Sequence, residues 1–260
     1  MKHLAIALLA VTSLVGLCQI ASAADLPVKA PVAPPAPSWN GLYVGVGLGD
    51  RWGTTQWTTT QADFTNPVPL DASSPHDFNH NAFYFSGYIG YNFQFGNWIT
   101  GVEGDLGWGN SEDTLNGFAG LNINNPPTPT DSSSVKIKWD GSIRGRLGYL
   151  VTPTVLVYVT GGWAFQNINS AASCTTNTGW CNGVNVQSTS IDQTLNGWTI
   201  GGGMEAMLVP NWLLRLEGRY SDFGTQTNTY LNVAPDLIRA DLRTTTGIMR
   251  VGLAYKFGGL

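Results

Sequence analysis

The chain has 260 residues, of which only 12% are charged, while Gly (32) and Trp (10) are abundant. A net charge of −4 leaves no basic surface for nucleic acid, and the length suits one sizeable domain. After the N-terminal run no apolar stretch is long enough for a membrane helix; segments of about ten residues with a period of two recur instead.

Lys2 and His3 precede a short apolar run, Leu4 to Leu17, and Ala21-Ser22-Ala23 follows. Residues 1–23 are therefore predicted to be a secretory signal peptide cleaved before Ala24. A lipid anchor on Cys18 would want a small residue before it, and Leu17 stands there. Residues 24–38 are rich in proline and read as an extended periplasmic linker. Residues 39–260 carry the alternating segments and form the predicted barrel domain.

The first predicted strand, Asn40 to Arg51, sets Leu42, Val44, Val46 and Leu48 against Tyr43, Gly45, Gly47 and Gly49. Inward glycines would let a narrow barrel close around large side chains from elsewhere. The polar stretch Trp52 to Asn81 lacks periodicity and reads as an exposed loop. A second strand, Phe83 to Phe93, places Phe83, Phe85, Ile89, Tyr91 and Phe93 outside, and Gly96-Asn97 marks a tight turn. In the third strand, Trp98 to Trp108, both tryptophans, Val102 and Leu106 oppose Glu103 and Asp105. Ten residues at about 3.3 Å each, tilted near 40°, span about 25 Å, the height of the apolar band of an outer-membrane barrel with its aromatic girdles.

Residues 109–134 read as a second long loop. The fourth strand, Val135 to Tyr149, points Val135, Ile137, Trp139, Ile143, Leu147 and Tyr149 out and Lys136, Lys138, Asp140, Arg144 and Arg146 in. A turn at Thr152-Pro153 leads to the fifth strand, Val155 to Phe165. The next loop holds Cys174 and Cys181, separated by six residues in a polar segment. That spacing suits a loop disulfide in an oxidising compartment, and without a nearby histidine it does not suit a metal site. Strands six (Leu195 to Met207) and seven (Trp212 to Tyr220) point Glu205, Arg215, Glu217 and Arg219 inward. A last loop reaches the closing strand, Thr245 to Phe257, with Arg250 inside and Met249, Val251, Leu253, Tyr255 and Phe257 outside.

Eight strands that alternate short turns with long loops, apolar outside and ionic inside, predict an all-β fold: an eight-stranded antiparallel transmembrane β-barrel of up-and-down topology in the outer membrane of a Gram-negative bacterium. The exposed edge of the closing strand is expected to be covered by the first strand, antiparallel. The outward tryptophans and tyrosines are expected to anchor in outer-membrane lipid.

The segments AADLP, SWNGLYVGVGLG, RGRLGYL, GGGMEAML, RYSDFG and MRVGLAYKF resemble the small eight-stranded outer-membrane proteins of alphaproteobacteria, called outer-membrane immunogenic proteins or porin-like surface antigens. The resemblance covers most of the mature chain and implies insertion by the barrel assembly machinery, with Tyr255 and Phe257 as the terminal assembly signal. It further implies variable surface loops that contact a host or ligand and, in some members, haem binding or adhesion. Such chains usually stop at the terminal aromatic, whereas Gly258 to Leu260 follow here. It carries over no catalytic residue.

Three candidate sites arise. Glu103, Asp105, Lys136, Lys138, Asp140, Arg144, Arg146, Glu205, Arg215, Glu217, Arg219 and Arg250 are expected to form an interior charge network filling the lumen, because buried charge is stable only when paired. A narrow channel for ions or small solutes, gated by that network, is the alternative. His76 and His80 are expected in an exposed loop, where haem ligation is the sharper alternative reading. An enzyme would need a Ser, a His and an acid gathered at the rim, and these two are the only mature histidines; no enzymatic activity is expected, nor any metal.

Overall fold

A computed structural model describes residues 37–62, 70, 72–121, 131–174, 187–233 and 236–258. Eight strands, β1 (Gly41–Ala62), β2 (His76–Phe95), β3 (Trp98–Asn116), β4 (Ser132–Thr152), β5 (Val155–Cys174), β6 (Gln187–Val209), β7 (Trp212–Val233) and β8 (Asp236–Lys256), close in chain order into a barrel. All ladders are antiparallel, and β8 closes on β1 from Tyr43↔Lys256 upward. Tight turns at Gly96-Asn97, Pro153-Thr154 and Pro210-Asn211 join the strands at one rim; Gly96 (φ 62°) and Asn211 (φ 71°) take the left-handed backbone such turns require.

The period of two is realised as an inverted protein. Val44, Val46, Leu48, Val102, Leu106, Ile143, Leu147, Val159, Ile200, Val251 and Leu253 are exposed on the outer wall. Two rings of aromatic contacts bound this band. At the short-turn rim Trp98 meets Tyr149 (5.2 Å) and Trp212 meets Tyr255 (5.3 Å); at the far side Phe85 meets Trp108 (6.4 Å), Trp163 meets Phe165 (5.3 Å) and Trp198 meets Tyr220 (5.8 Å). An exposed apolar belt between aromatic girdles is a lipid-facing surface. Inside, glycine faces tyrosine: the rings of Tyr88 over Gly45, Tyr43 over Gly90 and Tyr84 over Gly107 leave no room for a Cβ.

The strands are 19 to 23 residues long and run well past the far girdle. Segments expected as loops, including residues 52–62, 76–81 and 109–116, are strand. Trp52 to Ala62 rises about another 25 Å at the same tilt. This upper storey reverses the pattern. Its outer face carries Gln56, Thr60, Asn79, Glu112, Ser190 and Thr227, while Trp57, Phe78, Val135, Ile137, Ile168, Leu195, Tyr230, Ile238 and Leu242 pack into one apolar core.

Six of the eight ladders continue into that storey, to pairs such as Ala62↔Ile238, Asn116↔Ser132 and Cys174↔Gln187. The other two stop at the girdle: β2–β3 ends at Phe85↔Trp108 and β6–β7 at Trp198↔Asp222. Above the lipid band the wall therefore divides into two four-stranded sheets, β7-β8-β1-β2 and β3-β4-β5-β6. They face each other across the apolar core and touch through bonds such as Tyr230 Oη to Ser170 Oγ (2.7 Å).

Candidate functional site

The lumen between the girdles is filled by charge. Cross-strand pairing creates it, since Glu103↔Arg144, Glu205↔Arg215 and Glu217↔Arg250 stand directly opposite one another. Arg144 is the hub: its Nη2 reaches Glu103 (2.6 Å) and Asp105 (2.8 Å) and its Nη1 reaches Glu217 (3.0 Å). Arg219 bridges Asp105 and Asp140, both at 2.7 Å. Arg215 joins Glu103 (2.7 Å) to Glu205 (2.5 Å), Arg146 lies 3.1 Å from Glu205, and Arg250 2.8 Å from Glu217. Tyrosines complete the set, with Tyr43 donating to Glu103 (2.7 Å), Tyr158 to Glu217 (2.8 Å) and Tyr84 to Asp140 (3.2 Å). The Arg215 and Arg146 guanidiniums lie 4.1 Å and 4.2 Å from the ring centres of Tyr88 and Tyr158. Every one of these charges is buried, the condition under which pairing is obligatory.

Apolar clusters flank the network at both ends. Trp39, fully buried, closes the short-turn mouth, held by its backbone N–H to Gln94 Oε1 (2.8 Å) and its Nε1 to the Pro153 carbonyl (3.0 Å), and it belongs to a cluster with Ile99, Leu150, Leu156 and Leu213. At the other end stands the core of the upper storey.

Of the residues predicted for the network, all but Lys136 and Lys138 are in it. Those two face outward. Between Ile137 and Asp140 the β4–β5 register shifts, and one extra residue in a strand inverts every side chain beyond it. Val135 and Ile137, expected outside, are in the upper core, while Lys136 pairs with Glu112 (3.3 Å) and Lys138 with Asp192 in the open. Sequence reasoning missed Arg51, which reaches Asp140 (3.4 Å) and the carbonyls of Gly109 and Ile137. Strand parity counted from Tyr43 would have found it.

The histidines are not in an exposed loop. Both lie on β2. His80 is 1% exposed behind the wall, and its ring nitrogens have no hydrogen-bond partner among the described residues. His76 packs edge-on against Phe78 (5.0 Å). Four strand residues place their Cα atoms about 13 Å apart on the same face of β2. Cys174 is disulfide-bonded; Cys181, its expected partner, lies outside the described residues. Phe257 is exposed, its ring 5.0 Å from Tyr255 and its N–H donating to the Leu42 carbonyl (2.7 Å).

The model of the outer membrane protein beta-barrel domain family matches residues 10–257. The 31 kDa outer-membrane immunogenic protein of Brucella melitensis is 31% identical over 91% of this chain and 93% of its own length. The 25 kDa outer-membrane immunogenic protein of Brucella abortus is 32% identical over 89% and 85%, and the 22 kDa outer membrane protein of Rhizobium leguminosarum bv. viciae is 30% identical over 77% and 70%. Among solved structures, the outer membrane protein OprG of Pseudomonas aeruginosa shares the fold at a TM-score of 0.52 and 12% identity, covering 85% of this chain and 99% of that one. The inverted barrel and these relatives together identify the chain as a member of the outer-membrane β-barrel protein family, located in the outer membrane of a Gram-negative bacterium.

Proposed function

We propose that the protein is a sealed structural and surface-contact element of the outer membrane: a barrel that holds a rigid head above the lipid for contact with ligands or other cells, and neither a pore nor an enzyme. The observation that carries this reading is the three-level filling of the lumen, with Trp39 below, the ion-pair network in the middle and the apolar core above. Water-filled passage would require breaking buried ion pairs, each costing several kcal/mol once a partner is lost. The head offers a polar outer wall on strands stiffened by a packed core, a surface suited to recognition, and two relatives are named as immunogenic proteins. For catalysis, His80, the buried histidine among the described residues, lacks among them the hydrogen bond to a hydroxyl or carboxylate that a nucleophile–base pair needs. Planar-bilayer recording on refolded protein tests the proposal. A silent membrane is expected. Reproducible conductance steps that shift when Arg144 or Glu103 is neutralised would overturn it.

A further inference from the structure

Where the β2–β3 ladder ends, the wall has a seam. Above Phe85↔Trp108 the two strands are joined by a side chain, the Asp113 carboxylate accepting the Asn79 N–H at 2.8 Å. Behind the seam three polar groups are buried with nothing to bond: both ring nitrogens of His80, the hydroxyl of Ser111 and the Nε of Arg51 have no hydrogen-bond partner among the described residues. They belong together. Arg51 pairs with Ala82 and Gly53 with His80, which makes Arg51 and His80 inward neighbours on adjoining strands. Ser111 pairs with Ile137, whose carbonyl lies 3.4 Å from Arg51 Nη2. Buried polar groups in folded proteins are nearly always satisfied, so a cluster of orphans marks a place where something polar binds.

Charge says what kind. Within the lumen network, six buried guanidiniums (Arg51, Arg144, Arg146, Arg215, Arg219, Arg250) face five carboxylates (Glu103, Asp105, Asp140, Glu205, Glu217); the other buried carboxylate among the described residues, Asp131, precedes β4 at the top of the upper storey. The surplus sits at Arg51. Its one carboxylate partner is at 3.4 Å, and the other oxygen of that carboxylate already serves Arg219 (2.7 Å) and Tyr84 (3.2 Å). A positive surplus beside unpaired donors calls for an anion with several acceptor oxygens, and a phosphate that keeps one proton could also donate to the free nitrogen of a neutral imidazole. The seam opens at the level of the girdle, Phe85 and Trp108, where lipid headgroups sit. We propose that the β2–β3 seam is a binding site for a phosphate-type oxyanion, held by Arg51, His80 and Ser111.

Asp113 at the mouth opposes an anion and limits its affinity. Together with the anion it also favours a protonated His80, which burial otherwise keeps neutral, its pKa pushed down to about 4 against the pull of Asp113 and with the push of Arg51. The site is independent of whether the lumen conducts.

The test uses full-length protein refolded in phosphate-free detergent micelles, with the His80 imidazole followed by nitrogen-15 NMR at pH 6. Inorganic phosphate is expected to shift that resonance saturably while chloride at equal ionic strength does not. Loss of one hydrogen bond in Ser111→Ala should weaken the response about tenfold, and Arg51→Gln should abolish it, with gel migration of unheated samples confirming folded barrels. If Arg51→Gln does not fold, Ser111→Ala, read on the same His80 resonance, still decides. A second arm compares nanodiscs with and without lipid A, in the absence of free phosphate: a shift in lipid A discs alone assigns the lipid headgroup as the source, and a response only to added phosphate assigns the free ion. No shift with phosphate or lipid A, an equal shift with chloride, or an unaltered response in Ser111→Ala would overturn the proposal.

Discussion

If the lumen is held by mutual pairing, breaking one pair must cost more than removing it whole. Glu205 and Arg146 allow the sharpest test. Glu205 is fully buried and has two cations, Arg215 at 2.5 Å and Arg146 at 3.1 Å. Arg215 keeps Glu103 (2.7 Å) when Glu205 is lost, whereas the next carboxylate for Arg146 is Glu103 at 3.9 Å. Glu205→Met should therefore strand a buried guanidinium and cost about 3–5 kcal/mol, the range for an uncompensated buried charge. Arg146→Met should cost less, because Glu205 retains Arg215. The double variant removes both charges and should cost clearly less than the sum, with a coupling of about 2 kcal/mol or more. Urea unfolding of refolded protein in lipid vesicles, read by tryptophan fluorescence, measures all four species, and unheated gel migration checks that each is folded. Additive losses, or a Glu205→Met penalty below about 1 kcal/mol, would refute the reasoning and show that water reaches this part of the lumen.

Two further outcomes follow from the storey above the lipid. His80 binds fewer protons folded than unfolded between its depressed pKa of about 4 and its ordinary 6.5, so its contribution is complete above pH 6.5 and is lost as pH falls towards 4; in phosphate-free buffer the step from pH 8 to pH 5 should cost the wild type about 2 kcal/mol more than His80→Gln, and parallel profiles would show that His80 is already solvated. Lys138→Met and Lys136→Met each break an exposed pair and should cost less than about 1 kcal/mol in the same assay, less still in high salt, whereas a loss of several kcal/mol would put those side chains back in the lumen.

The lipid-spanning half of the fold was legible because its two environments differ as much as environments can. Trp98, Val102, Leu106 and Trp108 against Glu103 and Asp105 leave one reading, and the faces of β2, β3 and β5 to β8 are as expected. Above the girdle the contrast fades. The outer face of β1 becomes Thr54, Gln56, Thr58 and Thr60 because it meets water, and its inner face, Thr55, Trp57 and Thr59, keeps a single apolar side chain. A strand with polar residues on both sides looks like a loop. The inward turn of Val135 and the outward turn of Lys138 were illegible for another reason: a register shift leaves no mark on composition, yet it reverses every assignment beyond it. His80 was hidden by its neighbours, since Asn79 and Asn81 face water and lend the segment a loop's chemistry.

The two missing ladders end where they do for a physical reason. Within hydrocarbon no water can satisfy a free backbone N–H or carbonyl, so all eight ladders must be complete between the girdles. At Phe85↔Trp108 and Trp198↔Asp222 the strands leave the lipid, and an edge there can be satisfied by water or by a side chain, as Asp113 satisfies Asn79 and Thr189 Oγ1 accepts the Leu231 N–H (3.1 Å). Freed from closure, the wall can flatten, which brings β5 against β7 through Ser170 and Tyr230 and lets an apolar core replace the ionic one. Arg51 and Asp140 stand at that changeover. They are the last members of a charge network adapted to a closed barrel and the first residues beneath a seam the closed barrel could not have, and it is there that Arg51 Nε, both ring nitrogens of His80 and Ser111 Oγ are left without partners among the described residues.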